Sequence, residues 1–357
     1  MIHIYINPSC FNEKIYILNV IFNHWFELNY EVHLHEDKSY KITLPNNLSI
    51  CIPDIFLSME DEKWLSHETL PTQVVNKSLL DNNHLNSSPI PCIFLNANQE
   101  ENRNFSLHLD IFGSIFYLIS CYEEGIIQKK DNHNRFSFTE SFAYKYNFYD
   151  KPMVNEYLEI LWEMLVKASP RIQRKKRIYK VEISHDVDRP YNFLWMTKRH
   201  LLKNIAHLAL KKNSPHKVPP FLIHYFLVKS GFTKKDPFYT FDWIMDVSEK
   251  YNINSTFNFI AGRHSPLDAL YSIDDEEIKQ LMEIIHKRGH LIGLHGSYNS
   301  YNNFNILKNE YNVLSRAMEN AKIKQNLESS RQHYLRWDTP VTPNLLDKVG
   351  LKYDTTL

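Results

Sequence analysis

The sequence predicts an α/β protein in two parts: a mixed α/β N-terminal domain over 1–175 and a strand–helix alternation over 176–357 that favours a parallel sheet or barrel. Three observations carry this reading. The 357 residues are 43% hydrophobic and 13% aromatic against 23% charged, enough to bury a sizeable core. Short β-branched runs in the second half are separated by helical periodicity. A basic run, Arg-Ile-Gln-Arg-Lys-Lys-Arg over 171–177, marks the junction between the halves. Such a run could hold anions, but at a boundary it reads as a solvated connector.

Taken in order, the first half holds strand-like runs at 2–6, 40–44 and 90–95, joined by Asn-rich connections. Helical spacing follows over 110–124 (Ile111, Ile115, Leu118, Ile119) and over 153–168 (Val154, Leu158, Leu161, Trp162, Leu165), with a polar and aromatic stretch, 131–150, between them. In the second half, strands are read at 178–184, 255–260, 290–295, 333–336 and weakly at 352–357. A helix over 276–288 buries Ile278, Leu281, Met282 and Ile285 and stops at Gly289. Another takes Thr342 as N-cap and Pro343 in its first turn, and ends at Gly350. Residues 190–236, with Pro215, Pro219 and Pro220, are too long for a βα connection and read as an insertion over the mouth of a site.

Composition excludes several functions. Lys plus Arg (41) equals Asp plus Glu (41), so no bulk field recruits nucleic acid or anionic lipid. Only 8 glycines are present, and neither G-x-G-x-x-G nor G-x-x-x-x-G-K-[ST] occurs. Cys10, Cys51, Cys92 and Cys121 stand far apart and read as reduced thiols. The N-terminus lacks a basic region, the apolar run 15–22 is broken by Asn19, and 112–121 is about half a membrane span. No export signal or anchor is read, so a cytoplasmic location without a membrane span is expected.

Three polar clusters close proposed strands, where open α/β sheets and barrels place their active sites. The first is Ser184-His185-Asp186-Val187-Asp188. In an extended chain its two carboxylates share one face, and close carboxylates need a cation or proton between them. A metal ligand beside a general base is one reading, and a solvated strand-end turn is the plain one. The second cluster runs from Gly289 to Ser300, with His295 as candidate ligand and His290, facing the opposite side, as a structural residue. The third spans 331–340, where Arg336 at a strand end could hold a carboxylate.

At these residues the sequence resembles the polysaccharide deacetylases of carbohydrate esterase family four. The resemblance implies a distorted (β/α) barrel, here incomplete, and a divalent metal: zinc, with cobalt or nickel as alternatives. Asp186-Val187-Asp188 is similar to the first motif, which implies Asp186 as base and Asp188 as metal ligand. Gly289-His290-Leu291-Ile292-Gly293-Leu294-His295 resembles the lead-in to the second motif, implying His295 as ligand. The second motif's further His falls on Asn299, whose amide oxygen suits a hard cation better than zinc. Arg336, with Pro340 and Asn344 following, resembles the third motif, whose Arg orients the base. Upstream, Asp110-Ile111-Phe112-Gly113-Ser114, Tyr122-Glu123-Glu124, residues 131–144 and 152–157 are similar to the N-terminal domain of a bacterial subgroup of these proteins, a domain of unknown role. The family's later motifs, including a His used as general acid, are expected after the strand near Tyr353, whereas this chain ends at Leu357. Five strands are readable where the fold needs about seven, and the open edge that results could drive self-association.

The resemblance implies a metal-dependent hydrolase that removes N-acetyl groups from amino sugars of a bacterial polysaccharide or its precursor; Tyr298 and Trp337 are aromatics that could stack on sugar rings in a glycan-binding groove. A catalytically degenerate glycan-binding relative and an amidase acting on a non-glycan substrate are the alternatives.

Overall fold

Alternation of Ile2, Ile4 and Ile6 with His3 and Tyr5 makes the first strand, β1 (Ile2–Ile6), one-sided, and the three isoleucines are buried. In the computed structural model, which describes residues 1–77, 89–96, 106–212, 214–231 and 236–357, the chain divides into two units, Met1–Ile178 and Tyr179–Leu357. Both are mixed α/β.

In the first unit, β2 (Tyr30–Leu34) pairs parallel to β1, while β3 (Ser39–Thr43) and β4 (Ser49–Pro53) extend the sheet antiparallel, in the order β2-β1-β3-β4. A two-stranded ribbon, β5 (Val75–Lys77) with β6 (Ile90–Cys92), stands apart from it. The helices Phe11–Leu18, Ile111–Ile119 and Met153–Ala168 supply Ile17, Leu18, Phe112, Ile115, Leu158 and Leu161 to the core that also holds the isoleucines of β1. Asp110 caps the second of these helices: its Oδ1 accepts the Gly113 N–H at 2.8 Å, and Oδ2 accepts those of Ile55 and Phe56, both at 2.8 Å. The four cysteines are free thiols.

In the second unit, β7 (Ser184–Val187), β8 (Thr256–Ile260), β9 (Leu291–Gly296), β10 (Ser329–Gln332) and β11 (Tyr353–Asp354) form a five-stranded parallel sheet in sequential order. The helices Phe241–Lys250, Glu276–Lys287, Phe304–Asn320 and Thr342–Val349 alternate with the last four strands. The pairing is right-registered at the strand ends: Asp186 lies opposite Asn258, Asn258 opposite Gly293, and His295 opposite Arg331. Gly289 (φ 81°) and Gly350 (φ 100°) take the left-handed conformation that stops their helices. Thr342 is the first helical residue rather than the cap, and its hydroxyl donates to the Tyr301 carbonyl at 2.8 Å.

In the first unit the run 90–95 is a strand only over Ile90–Cys92, and in the second unit two strand positions differ from the sequence reading. The apolar run 178–183 is not a strand. Ile178 and Tyr179 are 85% and 91% exposed at the junction, and pairing begins only at Ser184. The fourth strand lies at Ser329–Gln332, four residues before the expected 333–336. Its inward residues, Ser330 and Gln332, are polar yet buried, held by Asp354 (2.6 Å) and Ser300 (3.0 Å), so hydrophobic periodicity passes over them. The expected insertion 190–236 forms the helices Lys198–Ala206 and Val218–Lys229 around a small core of Phe193, Met196, Tyr225 and Val228, and its residues 213 and 232–235 lie outside the described residues. No helix among the described residues is long and apolar enough to cross a membrane.

One buried charge pair anchors the first unit. Lys14 Nζ lies 2.5 Å from Asp54 Oδ2, both side chains at or below 1% exposure, and it also donates to the Asn7 carbonyl (3.0 Å) and Ser9 Oγ (3.1 Å). Lys14→Met strands Asp54 in the core and is expected to cost about 3–5 kcal/mol. Lys14→Met combined with Asp54→Leu is expected to recover much of that loss, read by urea unfolding of the full chain.

Candidate functional site

The parallel sheet brings three separate segments together at the carboxyl ends of its strands. Asp186 comes from β7 and Asp188 directly follows it, His295 comes from β9, and Arg331 and His333 from β10 and the turn that follows it. Asp186 and Asp188 line one cavity with His295 and His333.

The tautomers of both imidazoles follow from their carbonyl partners, since a carbonyl oxygen only accepts. His295 Nδ1 donates to the Arg331 carbonyl at 2.7 Å, and His333 Nε2 donates to the Leu267 carbonyl at 3.0 Å. The remaining ring nitrogens therefore present lone pairs, and they face each other at 3.1 Å. Asp188 Oδ1 completes the group, 3.3 Å from His295 Nε2 and 3.5 Å from His333 Nδ1. Three electron-rich atoms at this spacing repel unless a proton or cation lies among them. A tetrahedral ion bound at about 2.0–2.1 Å has ligand–ligand edges of about 3.3–3.4 Å, which these separations match. Two imidazoles and one carboxylate in this arrangement could hold a divalent transition metal.

A proton on His295 Nε2 is the alternative to a cation among these atoms, and it is then shared with Asp188. Burial by itself raises the Asp188 carboxyl, but the His295 hydrogen bond and the charges of His295 and His333 hold it below the usual carboxylate range. His295 is pulled down by burial and pushed up more strongly by its bond to Asp188 and by the charges of both aspartates.

Asp186 stands beside this group without joining it. Asn258 Nδ2 donates to its Oδ1 at 3.3 Å, and Arg331 Nε lies 3.2 Å from its Oδ2. The Asn258 side chain has room only because Gly293 faces it across the β8–β9 pairing. A Cβ on Gly293 would run into Asn258 Oδ1 and come within 2.6 Å of Ser329 Oγ.

Several residues expected at the site hold other places. Asn299, read as a third ligand, turns its amide elsewhere: Nδ2 donates to the His264 carbonyl (3.3 Å) and Oδ1 accepts from Arg336 (3.3 Å). His333 occupies the third position instead. Arg336, read as the residue that orients the base, is sandwiched between the Tyr298 and Tyr301 rings at 4.0 and 4.1 Å and donates to the Tyr298 carbonyl and the Tyr301 hydroxyl. Arg331 meets Asp186 in its place. The four-residue offset of the strand accounts for the arginine, whereas Asn299 followed from motif spacing, four positions after His295. With the strand at Ser329–Gln332, Arg331 falls opposite His295 and His333 falls just past the strand end. The signal for this was the polar pair Ser330 and Gln332, alternating as inward strand residues do.

The cavity, of about 760 Å³, takes its aromatic wall from Tyr191, Trp195, Tyr271 and Tyr334, not from Tyr298 and Trp337. Tyr298 packs on Arg336 and edge-on to Tyr334, and Trp337 packs against the hydrophobic core. His290 lies away from the site, accepting the Ser255 N–H at 3.1 Å. The helix Lys198–Ala206 of the insertion adds His200 and Lys203 to the wall.

Two buried acids that sequence reasoning missed brace the surrounding loops. Asp268 accepts the N–H groups of His264 (2.8 Å), Ser265 (2.7 Å) and Tyr298 (2.8 Å). Glu310, fully buried on the helix Phe304–Asn320, accepts the Ser297 N–H at 3.0 Å, and burial, with a contribution from the charge of Asp268, pushes its carboxyl up to about 7.

Residues 2–170 match a family of unknown function (DUF7033). No curated protein and no solved structure matches the chain.

Glu310 sets a pH dependence. Its folded pKa of about 7 lies above the unfolded value of about 4.3, so the native state binds more protons between those limits and stability falls as pH rises through them, then levels off. Glu310's share of the decline is expected to be at most about 4 kcal/mol and to be absent in Glu310→Gln, which leaves the share of Asp110, a buried carboxyl also pushed up to about 7, read by denaturant unfolding at a series of pH values.

Proposed function

We propose that this chain is a metal-dependent amide hydrolase of the polysaccharide deacetylase type, removing N-acetyl groups from amino sugars. The observation that carries the reading is the convergence of Asp188, His295 and His333 beside a separately braced Asp186, at the carboxyl ends of parallel strands. Five parallel strands in sequential order are consistent with part of a (β/α) barrel of that type.

Asp188, His295 and His333 would hold the ion, and two imidazoles with one carboxylate favour zinc, with cobalt or nickel as substitutes. A divalent cation in such a site polarises an amide carbonyl and lowers the pKa of its water. Asp186 is the base: Asn258 and Arg331 each fix one of its oxygens, so the carboxylate stays aimed at the cavity and takes a proton there. The aromatic wall offers ring faces to the C–H faces of a pyranose, and the cavity has the size of a small-ligand site. Among the described lining residues, His200 is the imidazole not engaged with Asp188, which makes it the candidate donor of a proton to the departing amine.

The test is metal content by elemental analysis together with release of acetate from N-acetylated amino-sugar oligosaccharides. About one zinc per chain is expected at this cluster, lost in Asp188→Ala and in His333→Ala, while Asn299→Ala keeps it. Asp186→Asn is expected to keep the metal and lower kcat by roughly 10²–10⁴-fold. Gly293→Ala is expected to keep the metal and lower kcat by displacing Asn258. Full metal content and activity in His333→Ala would refute the ligand assignment. A metal-loaded chain that releases no acetate would instead point to an amidase with another substrate.

A further inference from the structure

The first unit carries a second convergent cluster, on the face of its sheet opposite the core. Parallel pairing sets His3 of β1 opposite Glu31 of β2, and the pleat brings His33 to the same face. His3 Nδ1 lies 3.0 Å from His33 Nε2 and 3.4 Å from Glu31 Oε2, and His33 Nε2 lies 4.0 Å from that same oxygen. We infer that His3, Glu31 and His33 form a surface binding site for a divalent transition-metal ion.

The spacing is the first argument. The three separations average close to the edge of about 3.3–3.4 Å expected for a tetrahedral ion with ligands at about 2.0–2.1 Å. Satisfaction of the donors is the second. A single proton shared between the two ring nitrogens leaves the carboxylate to compete for it, whereas a cation satisfies all three atoms at once. Preorganisation is the third. Burial of Ile2, Ile4 and Ile6 on the other face pins the strand register, since a one-residue slip would expose them. The Tyr5 ring stacks on His33 with centroids 4.9 Å apart and fixes its orientation. The side chains remain 39–51% exposed, so an ion can enter from solvent and the fourth position stays open to water. Two imidazoles and one carboxylate select zinc, nickel or copper over calcium and magnesium. A bound ion would also clip β2, the edge strand, to its neighbour.

The site is independent of the cavity in the second unit, and the test separates them. Zinc titrated into the full chain carrying Asp188→Ala, near neutral pH, is expected to bind at one site. His33→Ala in that background is expected to abolish binding. Glu31→Gln, an exposed and conservative change, is expected to weaken it about tenfold or more with an unchanged circular dichroism spectrum. Copper bound to the same Asp188→Ala chain is expected to show nitrogen hyperfine coupling from two imidazoles in its electron paramagnetic resonance spectrum, reduced to one by His3→Ala. Absence of zinc binding in the Asp188→Ala chain, or zinc affinity indifferent to both Glu31→Gln and His33→Ala, overturns the inference.

Discussion

The hydrogen bond from His295 Nδ1 to the Arg331 carbonyl makes the candidate site a property of the sheet. It joins two strands at a point where they are already paired, His295 opposite Arg331, so the backbone register that builds the sheet also fixes an imidazole tautomer. Once that proton is committed, the other ring nitrogen has to face Asp188 and His333. The same Arg331 turns its side chain to Asp186. One residue therefore serves both halves of the site, its carbonyl orienting the His295 imidazole and its guanidinium facing the neighbouring carboxylate. Supporting contacts of this kind determine how sharply a site is held.

Much of this was legible in the sequence because it lay in short, polar strand ends. Asp186-Val187-Asp188 and the run ending at His295 stand out where apolar strands terminate, and the helix Glu276–Lys287 was plain from its periodicity and its terminal glycine. What hid the rest was a strand whose inward residues are serine and glutamine. A hydrophobicity pattern cannot find Ser330 or Gln332, because each is buried through hydrogen bonds to partners many positions away. That offset placed the orienting arginine at Arg336 and left His333 out of the reading, while Asn299 came from motif spacing after His295. Asp268 and Glu310 were illegible for a related reason: a buried acid within a loop or helix looks like a solvated one until the N–H groups it accepts from are known.

The first unit was readable in part: β1, β3, β6 and the helices Ile111–Ile119 and Met153–Ala168 showed in the sequence, whereas β2, β4, β5 and the helix Phe11–Leu18 did not. The elements that showed follow the usual periodicities, but nothing in the order of residues announces that β1 is an inner strand with a parallel neighbour on one side and an antiparallel one on the other. Nor does sequence pair Lys14 with Asp54, forty residues later, inside the core. A buried ion pair of this kind brings little net stability compared with an apolar pair of the same shape, yet it penalises every arrangement that leaves either charge alone. Its effect is to discriminate among packings of the helix Phe11–Leu18 against the segment after β4.

After β10 the chain reverses through Tyr334 and Leu335, two consecutive non-glycine residues in the left-handed region, at φ 59° and 53°. This tight bend lets His333 and Tyr334, adjacent in the chain, both reach the cavity, while Arg336 is delivered to its place between two tyrosines only three positions after His333. Here chain length, more than composition, is the constraint. A residue inserted or deleted between Gln332 and Arg336 would move the arginine off its aromatic stack or swing the imidazole out of the cluster. The spacing from Gln332 to Arg336 is therefore as much a part of the site as the side chains it carries.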